Sequence, residues 1–289
     1  MRVLVAGAGG QVGRALMASV PQGCNLIAAT RADLDITDPS AVAGFIEAHE
    51  PDVIVNAAAF TAVERAENEP ERARLVNQSG AANLARAAAA RKARMIQLST
   101  DFVFDGSASA PYPPDAPPAP TSVYGRTKLA GEQAVRDLLP DASIVLRTAW
   151  VYAPHGRNFV LTMLKLMREP RPVRVVDDQV GTPTSAGSVA RAVWAFAAEP
   201  ALRGTYHWTD AGVASWHDFA AAIAEEAAAC GLLTSPVDLK PVSSRNFPTA
   251  ARRPAYSVLD TRSTAEALRM TPRHWRANLR DVLGEIALG

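Results

Sequence analysis

Val3-Leu4-Val5-Ala6-Gly7-Ala8-Gly9-Gly10-Gln11-Val12-Gly13 is the stretch on which the fold turns. Its opening run of apolar, branched side chains is short and reads as a buried strand. Glycine then falls at positions 7, 10 and 13, and each has a mechanical use: a tight turn, close backbone approach to a phosphate, and packing of the next helix against the strand. A helix that opens directly after such a turn points free N–H groups and the positive end of its dipole at an anion. Strand, glycine turn and helix in this order begin a unit that cradles the pyrophosphate of a dinucleotide.

Outward from that turn the alternation continues. Leu26-Ile27-Ala28, Val53-Ile54-Val55, Met95-Ile96-Gln97-Leu98 and Ile144-Val145-Leu146 are short apolar runs, the pattern of parallel strands covered on both faces. Residues 10–19, 39–49, 71–91 and 123–138 read as the helices between them. The order predicts an α/β protein, a Rossmann-type doubly wound parallel sheet with helices on both faces. The second half changes character, with Pro170-Arg171-Pro172, a polar run over 177–185 and a proline-bearing segment over 236–254. We expect a dinucleotide-binding domain over residues 1–150 and a smaller C-terminal α/β substrate lobe over 151–289. The two interleave, because the helical stretches at 188–198 and 216–230 either cap the lobe or return to the sheet. Residues 105–120 hold six prolines and read as a loop bordering the site, since proline suits neither a helix interior nor a central strand.

A chain of 289 residues that is 48% hydrophobic can bury a substantial core. Its formal charge of +1, without a basic run, argues against nucleic acid or an anionic membrane as partner and for a small molecule. Alanine-rich stretches such as 81–90 are broken by Asn83 and Arg86, short of the roughly 20 apolar residues that span a bilayer. Cys24 and Cys230 read as buried thiols of a reducing compartment. Met1-Arg2 runs straight into the first strand without a signal-peptide pattern, so a cytoplasmic location is expected. His49, His155, His207, His217 and His274 show no metal-ligand spacing, and no metal site is expected. Trp194, Trp208, Trp216 and Trp275 read as packing residues.

The end of the second strand selects the dinucleotide, because an acidic side chain there binds the ribose 2′-hydroxyl whereas arginine accommodates a 2′-phosphate. Thr30-Arg31 stands there, which predicts NADPH, with NADH as an alternative donor; Asp35-Ile36 is placed to flank the adenine. Tyr124 and Lys128 are spaced i and i+4 on the helix after Pro120-Thr121-Ser122, so phenol and ammonium share one face. A cation within about 4 to 6 Å lowers a phenol pKa, and Lys128 is expected to act on Tyr124 in this way and to reach the nicotinamide ribose. Ser99-Thr100-Asp101 ends the fourth apolar run at the carboxyl edge of the sheet, where open α/β folds bind ligands. There Thr100 can hydrogen-bond a ketone or the Tyr124 hydroxyl.

Glycine turn, edge hydroxyl and Tyr/Lys pair stand in the order found in extended short-chain dehydrogenases/reductases. More narrowly, the chain resembles the dTDP-4-dehydrorhamnose reductase (dTDP-L-rhamnose synthase) family. The stretches that carry the resemblance are Gly10-Gln11-Val12-Gly13, Asn56 to Val63, Ser99-Thr100-Asp101-Phe102-Val103-Phe104-Asp105-Gly106, Tyr124-Gly125-Arg126-Thr127-Lys128-Leu129-Ala130-Gly131-Glu132, Arg147 to Tyr152, Asp177-Asp178-Gln179 and Arg253-Pro254. It implies Tyr124 as proton donor, Lys128 as its partner, and Thr100 and Asp101 at the substrate, with Trp150 in contact with it. It also implies that Gly10, Gln11, Val12, Thr30, Asp35, Ile36, Ala59, Phe60, Thr61 and Leu98 line the cofactor, beside Gly7, Gly13 and Arg31 from the glycine turn and the second strand and the Tyr124/Lys128 pair. The implied reaction reduces the 4-keto group of dTDP-4-dehydro-β-L-rhamnose to dTDP-L-rhamnose, a precursor of polysaccharides such as the lipopolysaccharide O-antigen. A diphosphate needs cationic or amide donors, and Arg252, Arg253 and Asn158 are candidates.

Three departures from the family pattern stand out. Phe102 replaces a frequent tyrosine, Pro111-Tyr112-Pro113-Pro114 lacks the carboxylate of a Pro-Tyr-x-Glu pattern, and Ala15 and Gly187 stand where some relatives carry glutamates that hold a metal between subunits. The resemblance therefore implies no metal dependence, and a monomer or a homodimer formed in another way. Two other readings of the same residues are a reductase of a different nucleotide-linked 4-ketosugar and a non-catalytic NADP-binding regulatory subunit.

Overall fold

Each short apolar run becomes a strand because the sheet buries both of its faces. In the computed structural model, which describes residues 1–288, β1 (Arg2–Ala6), β2 (Asn25–Ala29), β3 (Val53–Asn56), β4 (Arg94–Thr100) and β5 (Ser143–Thr148) pair in parallel. The chain then passes through β6 (Val151–Tyr152), β7 (Val173–Val176), β8 (Val180–Gly181) and β9 (Thr184–Ser185) before β10 (Gly204–His207) rejoins the sheet beside β5. The sheet order is β10-β5-β4-β3-β1-β2, with Leu4 opposite Ile27 on one side and Ile54 on the other. Strand order reverses between β1 and β3, which opens the crevice at their carboxyl ends where ligands of such sheets lie.

Helices α1 (Gln11–Ala18), α2 (Pro39–His49), α3 (Val63–Asn68), α4 (Pro70–Arg74), α5 (Gly80–Arg91) and α6 (Val123–Leu138) fall in the first half. The second half adds α7 (Phe159–Met167), α8 (Ala186–Ala198), α9 (Trp216–Ala229), α10 (Arg262–Leu268) and α11 (Trp275–Leu288). Period-two alternation sorts the strand side chains between the faces. Val3 and Val5 join Leu16, Val189 and Val193 under α1 and α8, while Leu4 and Ala6 join Ile46, Leu84 and Ala88 under α2 and α5. A separate core of Val160, Leu164, Phe219, Ile223, Leu279 and Leu283 unites α7, α9 and α11. β11 (Ala214–Ser215) pairs with β8, and β12 (Leu239–Val242) with β7.

The helix expected over 71–91 runs without a break from Pro70 to Arg91, but it is not α throughout. A π turn at Leu75–Ser79 separates α4 from α5, and the cause is tertiary. The Asn77 side chain turns inward, accepting from Phe60 N at 2.8 Å and donating to Thr127 Oγ1 at 3.0 Å. A Cβ on Gly131 of α6 would stand 2.1 Å from Asn77 O, so α6 lies against this turn at a distance only glycine permits. The Asp105–Pro120 segment is the expected loop, with a single bridge from Tyr112 to Leu259. Cys24 and Cys230 are both free and partly exposed rather than buried. No helix among the described residues is long and apolar enough to cross a membrane.

Candidate active site

A cleft of about 300 Å³ opens at the reversal point of the sheet. One wall is the glycine turn. Gly7 has φ +83, and a Cβ there would stand 2.5 Å from Ala58 N; a Cβ on Gly13 would stand 2.3 Å from Gly7 O. Only glycine lets the turns after β1 and β3 press together and lets α1 close onto them. Gly10 is the N-cap of α1 and supplies no side-chain cap, so the first-turn N–H groups face outward as an anion cradle. Of the residues expected at the cofactor, Gly7, Gly10, Thr30, Arg31, Asp35, Ile36, Ala59 and Phe60 line this cleft. Gln11, Val12, Gly13, Thr61 and Leu98 are not among its walls, and Tyr124 and Lys128 lie in a separate buried group. Leu34, Val76 and Arg72 line the cleft without having been singled out in sequence; Arg72 reads there as an ordinary charge on a helix surface.

The order at the end of β2 is local. Asp33 accepts from Thr30 N at 2.9 Å and Thr30 Oγ1 at 2.6 Å, and Asp35 accepts from Thr37 N at 3.0 Å and Thr37 Oγ1 at 2.7 Å. These bonds hold both carboxyls below their ordinary range. Arg31 reaches Asp35 only at 3.6 Å and stays largely exposed.

Ser122 caps α6 by accepting from Gly125 N at 3.1 Å, and Glu67 accepts from Val123 N at 2.7 Å. The first two turns of α6 then place Tyr124 and Lys128 against the end of β4, both buried. A Cβ on Gly125 would stand 2.1 Å from Phe102 O, so the closeness of this contact again depends on glycine. The Thr100 hydroxyl faces the Tyr124 phenol and donates to Asp101 Oδ1 at 3.0 Å. Phe102 lies edge-on to the Tyr124 ring with centroids 5.5 Å apart, filling the place of the frequent tyrosine with an apolar contact.

The electrostatics correct one expectation. Burial pushes the Tyr124 phenol up to about 12; the Thr100 hydroxyl opposes this, and the Asp101 charge adds to it. Lys128 is not among the groups that shift the phenol; its Nζ donates to Leu98 O at 2.6 Å. Burial brings Lys128 itself down to about 8, against the pull of Glu132. The same burial raises Asp101 to about 6, opposed by the Ser257 and Thr100 hydroxyls. The phenol is therefore fully protonated at neutral pH, the form a proton donor needs.

Trp150 adopts φ +47, a conformation costly for a bulky residue. Its ring stacks on Trp216 at 3.4 Å with the planes 3° apart, and a Cβ on Gly181 would stand 2.5 Å from it. Trp216 is thus a packing residue, as expected, and Trp150 is its partner; no local sequence pattern signals the pairing. Asn158 is occupied otherwise than expected. It caps α7 by accepting from Leu161 N at 3.0 Å, and its amide donates to Gln11 Oε1 and Ala153 O, each at 2.9 Å. Gln11 and Asn158 therefore tie the glycine turn to the second half of the chain. Arg253 pairs with Glu64 at 2.8 Å, and Glu64 also accepts from Ala251 N at 2.9 Å, which fixes the C-terminal segment to α3.

His207 is fully buried, with Nδ1 at 3.0 Å from Tyr112 O. Burial and the Arg147 charge push it down to about 4. An unfolded imidazole near 6.5 binds its proton first, so this group's stabilisation is present above pH 6.5 and is lost as the pH falls toward 4. The limiting slope is about 1.4 kcal/mol per pH unit. Denaturant titrations between those pH values should show the acid-side decline in wild type and a shallower one in His207→Gln; equal slopes would refute the assignment. Among the described residues no cluster of three or more His, Cys, Asp or Glu side chains forms a metal-ligand set.

Comparison with known proteins places this geometry in context. Residues 1–288 match the RmlD substrate binding domain family. The chain is 44% identical to a dTDP-4-dehydrorhamnose reductase of Streptomyces griseus over 96% of this chain and 91% of that protein. It is 42% identical to a dTDP-4-keto-6-deoxy-D-glucose reductase of Streptomyces niveus over 96% and 95%. Among solved structures it resembles a dTDP-4-dehydrorhamnose reductase of Clostridium acetobutylicum, with TM-score 0.93, 38% identity and 99% of each chain covered. It also resembles one of Bacillus anthracis in complex with NADP, with TM-score 0.92, 33% identity, and 98% and 99% covered.

Proposed function

The chain belongs to the RmlD family of dTDP-4-dehydrorhamnose reductases, and on that premise we propose that it reduces the 4-keto group of dTDP-4-dehydro-β-L-rhamnose with NADPH. The observation that carries this reading is the convergence of Thr100, Tyr124 and Lys128 at the carboxyl end of β4, the edge of the sheet on which the glycine turn after β1 also lies. The glycine cradle and the uncapped α1 terminus suit the pyrophosphate, and Leu34, Ile36 and Val76 suit a flat base. NADPH bound there supplies the hydride.

This chain's residues manage the proton and the geometry. Thr100 orients the carbonyl oxygen, and Tyr124, protonated at neutral pH, gives its proton to the oxygen as negative charge develops there. Lys128, anchored on Leu98 O, is the group placed to reach the nicotinamide ribose. Before the ketone binds, Asp101 Oδ1 accepts a hydrogen bond from the Thr100 hydroxyl, which turns to the carbonyl oxygen when substrate arrives. The Trp150 indole, braced by Trp216 and Gly181, forms a rigid wall for the sugar, and Arg253 stands near the C-terminal segment as a donor for the diphosphate. Residues 1–150 and 151–289 serve as cofactor and substrate regions, joined by the return of α8 and β10 to the sheet. The enzyme acts in the cytoplasm as a monomer or homodimer.

The Streptomyces niveus relative favours a second reading, reduction of a ketosugar of different configuration. NADPH loss with enzymatically prepared dTDP-4-dehydrorhamnose and, in parallel, with dTDP-4-keto-6-deoxy-D-glucose, each followed by identification of the sugar, decides between them. Formation of dTDP-L-rhamnose supports the first reading, and another 6-deoxyhexose the second. NADPH binding without turnover on either substrate contradicts both.

Gly181→Ala tests the wall. A methyl group 2.5 Å from the Trp150 ring must displace it, so KM for the sugar nucleotide should rise about tenfold, the effect of a misplaced contact worth about 1.4 kcal/mol. The dissociation constant for NADPH should be unchanged, and an unchanged KM would count against Trp150 as a substrate contact.

A further inference from the structure

Two guanidinium groups line the cleft, from different elements: Arg31 after β2 and Arg72 from α4. Arg72 is held loosely. Its Nη1 donates one 3.2 Å hydrogen bond to Glu69 Oε2, while Arg65 takes Glu69 Oε1 with Nε at 3.0 Å and Nη2 at 2.8 Å. A guanidinium has five N–H donors, so most of those on Arg72 have no protein partner among the described residues. The Phe60 ring lies 5.9 Å from the Arg72 guanidinium and gives it a platform at the cleft wall. Arg31 is equally available, because Asp35 is engaged by Thr37 and meets Arg31 only at 3.6 Å. The end of the second strand is where the ribose 2′ substituent lies in folds of this kind, and a phosphate dianion suits paired guanidinium groups.

We propose that Arg72 is a second recognition group for the 2′-phosphate of NADPH, acting with Arg31 as a two-sided clamp that sets the choice between NADPH and NADH. The assignment rests on the reading of this cleft as the dinucleotide site. It makes Arg72 a specificity-determining residue without a part in the chemistry. Its half-exposed side chain allows substitution without loss of the fold.

Equilibrium dissociation constants for NADPH, NADH and 2′,5′-ADP, measured for wild type, Arg31→Ala, Arg72→Ala and Arg72→Lys, test it. Arg72→Ala should weaken NADPH and 2′,5′-ADP about tenfold, as loss of a charge-assisted contact does. NADH should change by less than about twofold, and Arg72→Lys should recover part of the loss, since the charge remains. Equal weakening of NADPH and NADH would overturn the assignment by making Arg72 an adenine or structural contact, and so would no change in either. Wild type that binds NADPH while Arg72→Ala is unaffected refutes this inference alone. Wild type that binds neither dinucleotide refutes the cofactor reading and this inference with it.

Discussion

Tyr124→Phe should lower kcat by about a hundredfold or more, the contribution of a positioned proton donor, while NADPH binding stays near the wild-type value. The reasoning starts from burial. The phenol lies in a pocket that holds it protonated, up to about 12, so at neutral pH nearly every molecule has the donor ready. Phenylalanine keeps the ring, its edge contact with Phe102 and the packing of α6, and removes only the proton and its oxygen. The loss should therefore appear in turnover and leave the melting temperature and the NADPH dissociation constant little changed. Single-turnover hydride transfer together with a binding titration separates these quantities. A variant with near-wild-type turnover would remove Tyr124 from the mechanism and leave a water or Asp101 as donor.

Glu132→Ala should be the most damaging change to stability. Glu132 has no exposed surface and Arg147 is 3% exposed. Arg147 Nε and Nη2 donate to the two Glu132 oxygens at 2.9 and 2.7 Å, and Ser99 Oγ donates at 2.5 Å. Burial alone would raise the Glu132 pKa, but Arg147 and Ser99 outweigh it and hold the carboxyl low. The alanine variant leaves a guanidinium buried without its counter-ion, which costs about 3–5 kcal/mol, a large part of the roughly 5–15 kcal/mol that holds a domain together. At about 2–4 °C per kcal/mol for chains of this size class, melting should fall by about 10 °C. The pair joins α6 to β4 and β5 one turn below Lys128, so the damage should reach the site as well. Glu132→Ala combined with Arg147→Leu should recover part of the loss, because no unpaired charge remains. A melting shift within about 2 °C for the single variant would show that Arg147 finds water or another partner, against the burial argument.

How much of this was legible in sequence follows from the range of each signal. The strands of the first half, α2 and α6 were readable because their periodicity is local: Pro39–His49 and Val123–Leu138 coincide with the expected helices. The π turn within 71–91 was not, because it exists to let Asn77 bond Phe60 and Thr127. The short strands and helices of the second half, α7 and α11 among them, carry weaker patterns and depend on packing against one another.

The sequence by itself determined the parallel α/β fold, the glycine turn and the spacing that puts Tyr124 and Lys128 on one helix face. Each of these is set by backbone sterics and side-chain periodicity over a few residues. The tertiary structure alone decided that Trp216 braces Trp150, that Arg72 enters the cleft, that Asn158 serves as a helix cap tied to Gln11, and that Lys128 is spent on Leu98 O. It also decided that the Tyr124 phenol is raised rather than lowered. These outcomes depend on partners distant in the chain and on how completely water is excluded, and neither desolvation nor a long-range contact is written in local spacing.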